Sequence, residues 1–125
     1  MLIHQELSNR VLGALFTVHN IAGPGLVESA YEGALAIEFR SQGIDFSRQK
    51  VFEFVYKGEV AGSYVADMVV EDKIILELKS VRELNPVMEA QLLNYLKISG
   101  IPVGYLVNFR NTRLEWKRMV CQGIK

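Results

Sequence analysis

The stretch that decides the architecture runs from Tyr64 to Lys79, YVADMVVEDKIILELK. Two runs rich in β-branched residues flank the polar Glu71-Asp72-Lys73, the pattern of two antiparallel strands joined by a tight turn. Charges inside those runs set this hairpin apart, with Asp67 in the first strand and Glu77 and Lys79 in the second. Side chains two apart on a strand share a face, so Glu77 and Lys79 project together while Ile74, Leu76 and Leu78 point the other way. The destination of Asp67 depends on register. A two-residue turn at Glu71-Asp72 sets it opposite Leu76 and on the wrong face. A three-residue loop, Glu71 to Lys73, sets it opposite Glu77, and a bulge near Asp67 has the same effect.

Two carboxylates that converge across neighbouring strands repel unless a cation lies between them, and hard oxygen donors suit magnesium or manganese. Lys79, on the same face, then holds a water or a phosphoryl oxygen beside the metal. The competing reading is a solvated sheet face carrying a Glu/Lys pair, and the hairpin alone does not separate the two.

The 125 residues suffice for one domain with a real core, spanning 1–125. Half are hydrophobic and 22% are charged, which excludes a disordered chain. Fourteen basic residues balance fourteen acidic ones. That removes the broad positive footprint of a protein that coats nucleic acid nonspecifically, while leaving room for a local basic rim. One cysteine, Cys121, cannot form an internal disulfide. With no apolar run long enough to span a bilayer and no signal-peptide shape at the amino terminus, a soluble cytoplasmic protein is expected, with no membrane partner.

Outward from the hairpin, apolar spacing predicts a first helix over Glu6 to Asn20, stopped by Gly23-Pro24-Gly25. A second helix is expected from Leu26 to Gly43, with Glu28 stacked on Glu32 on a tolerant surface. Asp45 to Tyr56 reads as a strand that leads, through Lys57-Gly58-Glu59, into the hairpin, so three strands form a meander. Asn85-Pro86 opens a third helix as cap and first residue, and Gly100 closes it. Gln91 and Tyr95 lie one turn apart on it, beside the core stripe of Met88, Leu92 and Leu96. Strands over Ile101 to Phe109 and Leu114 to Val120 follow. The expected fold is α/β (α+β), a mixed sheet flanked by helices in the order ααβββαββ. His4 and His19 have no metal-ligand spacing and are expected at the surface or boundary. No phosphate loop or nucleophile elbow is present.

These blocks resemble the PD-(D/E)XK nuclease superfamily, whose metal signature is similar to Asp67 followed by Glu77-Leu78-Lys79. Gly25-Leu26-Val27-Glu28-Ser29-Ala30-Tyr31 resembles the motif that names the GxxExxY branch, and Tyr56-Lys57-Gly58, Glu89 to Leu96 and Val107-Asn108-Phe109 extend the likeness along most of the chain. The resemblance implies a restriction-endonuclease-like core and a metal-dependent nuclease acting on DNA or RNA. It implies that Asp67, Glu77 and Glu28 hold Mg2+ or Mn2+, that Lys79 activates or positions water, and that Gln91 and Tyr95 border the site. One departure is Ala66 where the family name has proline. A noncatalytic interaction module working with a partner protein or nucleic acid is the alternative, given the balanced charge. A homodimer pairing through the fourth or fifth strand is a further possibility.

Overall fold

Each helix ends where its flanking residues supply or withhold hydrogen bonds. In the computed structural model, which describes residues 3–121, α1 spans Gln5–Ala22 and stops at Gly23, whose N–H still donates to the His19 carbonyl while its positive φ of 77° turns the following chain out of the helix. Helix α2 spans Glu28–Ser41, starting two residues later than the sequence suggests because Gly25, at φ 89°, holds the chain in a loop. Helix α3 spans Pro86–Ser99; the Asn85 side chain accepts from the Met88 N–H at 2.9 Å, and Gly100 closes the helix at φ 75°.

Five strands form one sheet in the order β1-β2-β3-β4-β5: Phe46–Tyr56, Glu59–Val70, Ile74–Lys79, Val103–Asn108 and Glu115–Val120. The first three make the expected antiparallel meander. Helix α3 carries the chain over to β4, which lies parallel to β3 from Ile74 opposite Val103 to Lys79 opposite Asn108. This is the mixed, helix-flanked sheet of a restriction-endonuclease-like fold, in the order ααβββαββ. Strand β5 closes the far edge antiparallel to β4. The fourth strand is therefore no edge: every residue of β4 is buried, as expected of a parallel strand covered on both sides.

Two cores flank the sheet. On one side Leu15, Tyr31, Leu35 and Phe39 of α1 and α2 meet Met68, Ile74, Leu76, Leu78 and Tyr105. On the other, Leu92 and Leu96 of α3 meet Ala66, Val69, Ile75 and Leu106. Helix α3 comes so close to β4 that a Cβ on Gly104 would lie 3.0 Å from Leu92 Cδ1. Among the described residues, no helix is long and apolar enough to cross a membrane.

The β1–β2 pairing shifts register between Phe54 and Val55, and strand alternation also breaks nearer the hairpin. Phe46 packs with the α1/α2 core and Phe52 with the α3 core, although an even spacing should keep them on one face. On β2, Met68 and Ala66, two residues apart, divide between the two cores in the same way. The pairing passes from Arg48–Met68 to Lys50–Ala66 and omits Gln49 and Asp67, with Gln49 held at φ 51°. Both strands thus change face at the level of Asp67.

Candidate metal centre

The β2–β3 turn decides the register of the hairpin. Val70 pairs with Ile74, so the turn is the three-residue loop Glu71 to Lys73, closed by the Lys73 N–H on the Val70 carbonyl. Continued along the strands, this register puts Asp67 opposite Glu77. The regular ladder ends one pair earlier, at Met68–Leu76, and side chains take over from the backbone. The Asp67 N–H donates to Glu77 Oε2 at 3.1 Å, and the Leu78 N–H donates to Asp67 Oδ2 at 2.8 Å. The two strands part here, and each carboxylate fills a backbone position that a sheet partner would otherwise occupy.

Burial and mutual repulsion govern the pair. Glu77 is only 7% exposed. Desolvation first, then the nearby Asp67 charge, pushes its carboxyl up to about 7, against the opposing hydrogen bond from the Asp67 N–H and the charge of Lys79. Asp67 is raised as well, chiefly by burial, with the charges of Glu32 and Glu28 adding to it and the Leu78 N–H and Lys79 working against it. This face is not a solvated Glu/Lys surface but a desolvated acid pair with a lysine at its edge.

Glu28 approaches from α2. Its Oε2 accepts from the Ser80 N–H at 3.1 Å, just past Lys79, and the Ser80 hydroxyl donates to the Leu26 carbonyl at 2.7 Å. Tyr31, one turn further along α2, is fully buried against Phe109. Its hydroxyl donates to the Gly23 carbonyl at 2.6 Å and accepts from the Leu26 N–H at 3.0 Å. Gly25, Glu28 and Tyr31 therefore act together: the glycine bends the loop, the tyrosine pins it, and the glutamate ties it to the end of β3.

In each of Asp67, Glu77 and Glu28, one carboxylate oxygen is held by a backbone N–H and the other has no protein partner among the described residues. Free hard oxygens on a desolvated pair fit a divalent cation. The structure brings Asp67, Glu77 and Lys79 together but leaves Glu28 outermost and exposed. Among the described residues, no three His, Cys, Asp or Glu side chains converge closely enough to hold a metal ion.

A model of the PD-(D/E)XK nuclease superfamily matches residues 5–119. The chain belongs to that superfamily. No protein with a curated description matches the sequence. Among solved structures, the crystal structure of SSO0001 is similar, with a TM-score of 0.56 and 17% identity over 74% of this chain and 48% of that protein. The likeness is one of fold, and this chain spans about half the length of that protein.

Nucleases of the PD-(D/E)XK superfamily generally use divalent metals, and in this chain α3 brings an aromatic group towards the acid pair. Tyr95 stacks on Tyr64 with centroids 3.7 Å apart, and its hydroxyl pKa is raised by burial and then by the charges of Glu77 and Asp67. Gln91 is exposed one turn away, with no hydrogen bond to these groups among the described residues.

Two supporting features escape a reading of the sequence. Glu32 is no surface acid: 8% exposed, it accepts from Arg48 Nε at 2.9 Å and Gln49 Nε2 at 2.7 Å, the residues at the face change. Asn108, wholly buried, accepts from the Val81 N–H and donates to the Val81 carbonyl and to Glu115, fixing the segment after Lys79. His19, expected at the surface or boundary, is buried within 2.8 Å of the Asn111 carbonyl oxygen. For Asn108, the signal lay in an asparagine set inside the apolar run Val103 to Phe109.

Proposed function

We propose that this protein is a divalent-metal-dependent nuclease of the GxxExxY branch, hydrolysing phosphodiester bonds in DNA or RNA. The observation that supports this most is the Asp67–Glu77 pair, two desolvated acids held by each other's strand with one oxygen apiece left over. Asp67 and Glu77 would hold Mg2+ or Mn2+, with Glu28 as an outer ligand. When bound, the cation polarises the phosphoryl oxygen and makes its water more acidic.

The chain's own groups do the rest. Lys79 orients the attacking water and offsets negative charge that develops on the phosphoryl oxygens. Tyr95, whose pKa is raised, keeps its proton at neutral pH and donates a hydrogen bond at the rim, with Gln91 as a second donor one turn away. Without a cation, three acids repel a phosphate backbone, so activity depends strictly on metal.

The balanced charge, and the lack of three converging ligands among the described residues, favour a second reading: a noncatalytic module that binds nucleic acid or a partner protein. A cleavage panel over single- and double-stranded DNA and RNA, with Mg2+, Mn2+ or chelator, tests the first reading. Calorimetric metal binding that disappears in Asp67→Ala accompanies it. Absence of metal-dependent cleavage on every substrate, with no metal binding, leaves the second reading.

A further inference from the structure

Beyond the level of Asp67, strands β1 and β2 leave the sheet as a two-stranded arm. They are joined by Lys57-Gly58, both at positive φ, in the tight turn that a right-handed hairpin favours. With the face change at Gln49 behind them, Phe52 packs on the side where α3 lies and alternation carries Phe54 to the same side, while Tyr56 follows a register shift between Phe54 and Val55. Phe52 is half-buried, Phe54 is 44% exposed and Tyr56 is 58% exposed, so the row emerges from the core as it runs outward. Phe54 and Tyr56 have ring centroids 6.4 Å apart. At the inner end, Phe52 stacks on Tyr64 with centroids 5.3 Å apart, and Tyr64 stacks on Tyr95, whose hydroxyl feels the charges of Glu77 and Asp67. Two sets of paired rings, Tyr56–Phe54 on the arm and Phe52–Tyr64–Tyr95 at its base, thus lie between the tip of the arm and the acid pair.

We infer that this aromatic row is a track for single-stranded nucleic acid, on which unpaired bases stack as the strand is led to the Asp67–Glu77 site; the inference rests on the nuclease reading above. Packing explains Tyr64 and Tyr95, but it does not explain Phe54 and Tyr56, which no helix covers. Rings exposed at every second residue of a strand present π faces to successive bases, and such stacking is indifferent to sequence. A base paired within a duplex keeps its face hidden and cannot use them. Two cations border the row: Lys50 Nζ lies 5.5 Å from the Phe52 centroid and Lys57 Nζ 5.5 Å from that of Tyr56. Lys50 is also paired with Asp72, and Glu59 stands opposite Tyr56. The local charge is therefore near balance, and stacking carries the affinity. That suits a chain of zero net charge and makes binding less sensitive to salt than a phosphate-gripping surface would be. Because the track meets bases and not sugars, it takes DNA and RNA alike.

The test is fluorescence anisotropy of the full chain with labelled oligothymidylate and oligouridylate strands and a duplex of equal length, all in chelator so that nothing is cut. Both single strands should bind, and the duplex more weakly. Phe54→Ala and Tyr56→Ala should each weaken single-strand binding by roughly fivefold or more, the equivalent of losing one stacked base. Phe54→Trp should restore it, and Val51→Ala on the opposite face should change nothing. Equal binding of duplex and single strand, or full binding by the two alanine variants, overturns the inference. So does a dimer dispersed by Phe54→Ala with no change in oligonucleotide binding. Metal-dependent cleavage without single-strand preference keeps the nuclease and removes the track. Single-strand binding lost in the alanine variants, with no cleavage under any metal, keeps the track and removes the nuclease.

Discussion

Glu32 on α2 and Glu77 on β3 are buried to nearly the same depth, 8% and 7% exposed, and the surroundings treat their charges in opposite ways. Arg48 and Gln49 reach Glu32 from the edge strand and occupy both of its oxygens. Glu77 receives one backbone N–H on one oxygen, and the charge that acts on it most strongly is that of another acid. A carboxylate met by an arginine and an amide belongs to the frame of the protein. One left short of partners beside a second acid weakens the apo fold until something positive arrives, which is how sites differ from scaffolds. Placing the two glutamates on opposite sides of the sheet, close to the same break in the strands, lets one hold the geometry and the other use it.

The sharpest way to break this contrast is at the lysine beside Glu77. Lys79→Ala should lower metal-dependent cleavage by roughly 10²–10³-fold with little change in thermal melting, whereas a collapse of the fold would show the amine to be structural. Next in size is the pH response of the apo protein. The Glu77 carboxyl sits at about 7 in the folded chain against an ordinary 4.5, so the protonated form favours folding. That stabilisation is complete below pH 4.5 and is lost as pH rises through about 7, a change of roughly 3 kcal/mol for this one group. In chelator, Glu77→Gln should therefore overtake the wild type in urea unfolding as pH rises from 4.5 to 8, and should fall behind it again when Mg2+ or Mn2+ is added. A constant difference between the two across that range sinks the assignment of Glu77 as the uncompensated acid.

Removing the partner of Glu32 probes the other half. Arg48→Met should destabilise the protein by about 1–3 kcal/mol, because it takes a charged hydrogen bond from a buried carboxylate while Arg48 itself is partly exposed. Chelator should not alter that loss. Smallest is Tyr31→Phe, which keeps the stack on Phe109 and removes two hydrogen bonds to the loop; about 1 kcal/mol in chemical denaturation is expected. It should loosen Glu28 and leave both buried glutamates as they are, which separates the loop from either of them.

Local chemistry made much of this visible in advance. Asn85-Pro86 and Gly100 bracket α3 because caps act within one turn, and the β-branched runs around Glu71-Asp72-Lys73 announce their hairpin within sixteen residues. The same spacing put Glu77 and Lys79 on one face of β3. What could not be read is whatever depends on contact across the sheet. Gln49 adopts a left-handed conformation without being glycine, so no residue type marks where the strands change face. The bond from Arg48 to Glu32 spans sixteen residues and exists only once α2 lies on the sheet. Glu28 was legible as part of a motif, but its hold on the Ser80 N–H, fifty-two residues away, belongs to tertiary structure alone. The exposed aromatics of β1 read simply as strand formers, and their exposure appears only when the arm is seen to leave the sheet.

The hairpin that carries Asp67 and Glu77 closes over only ten residues, whereas β3 must wait for the whole of α3 before it gains β4. Short loops close first and distant pairings follow. The two acids are thus neighbours early, while water still surrounds them and their repulsion is slight. Their discomfort is felt only when the helices dock and expel that water, at the last stage of assembly, so discharging either acid should act mainly on how long the native state survives and hardly at all on how quickly it is reached.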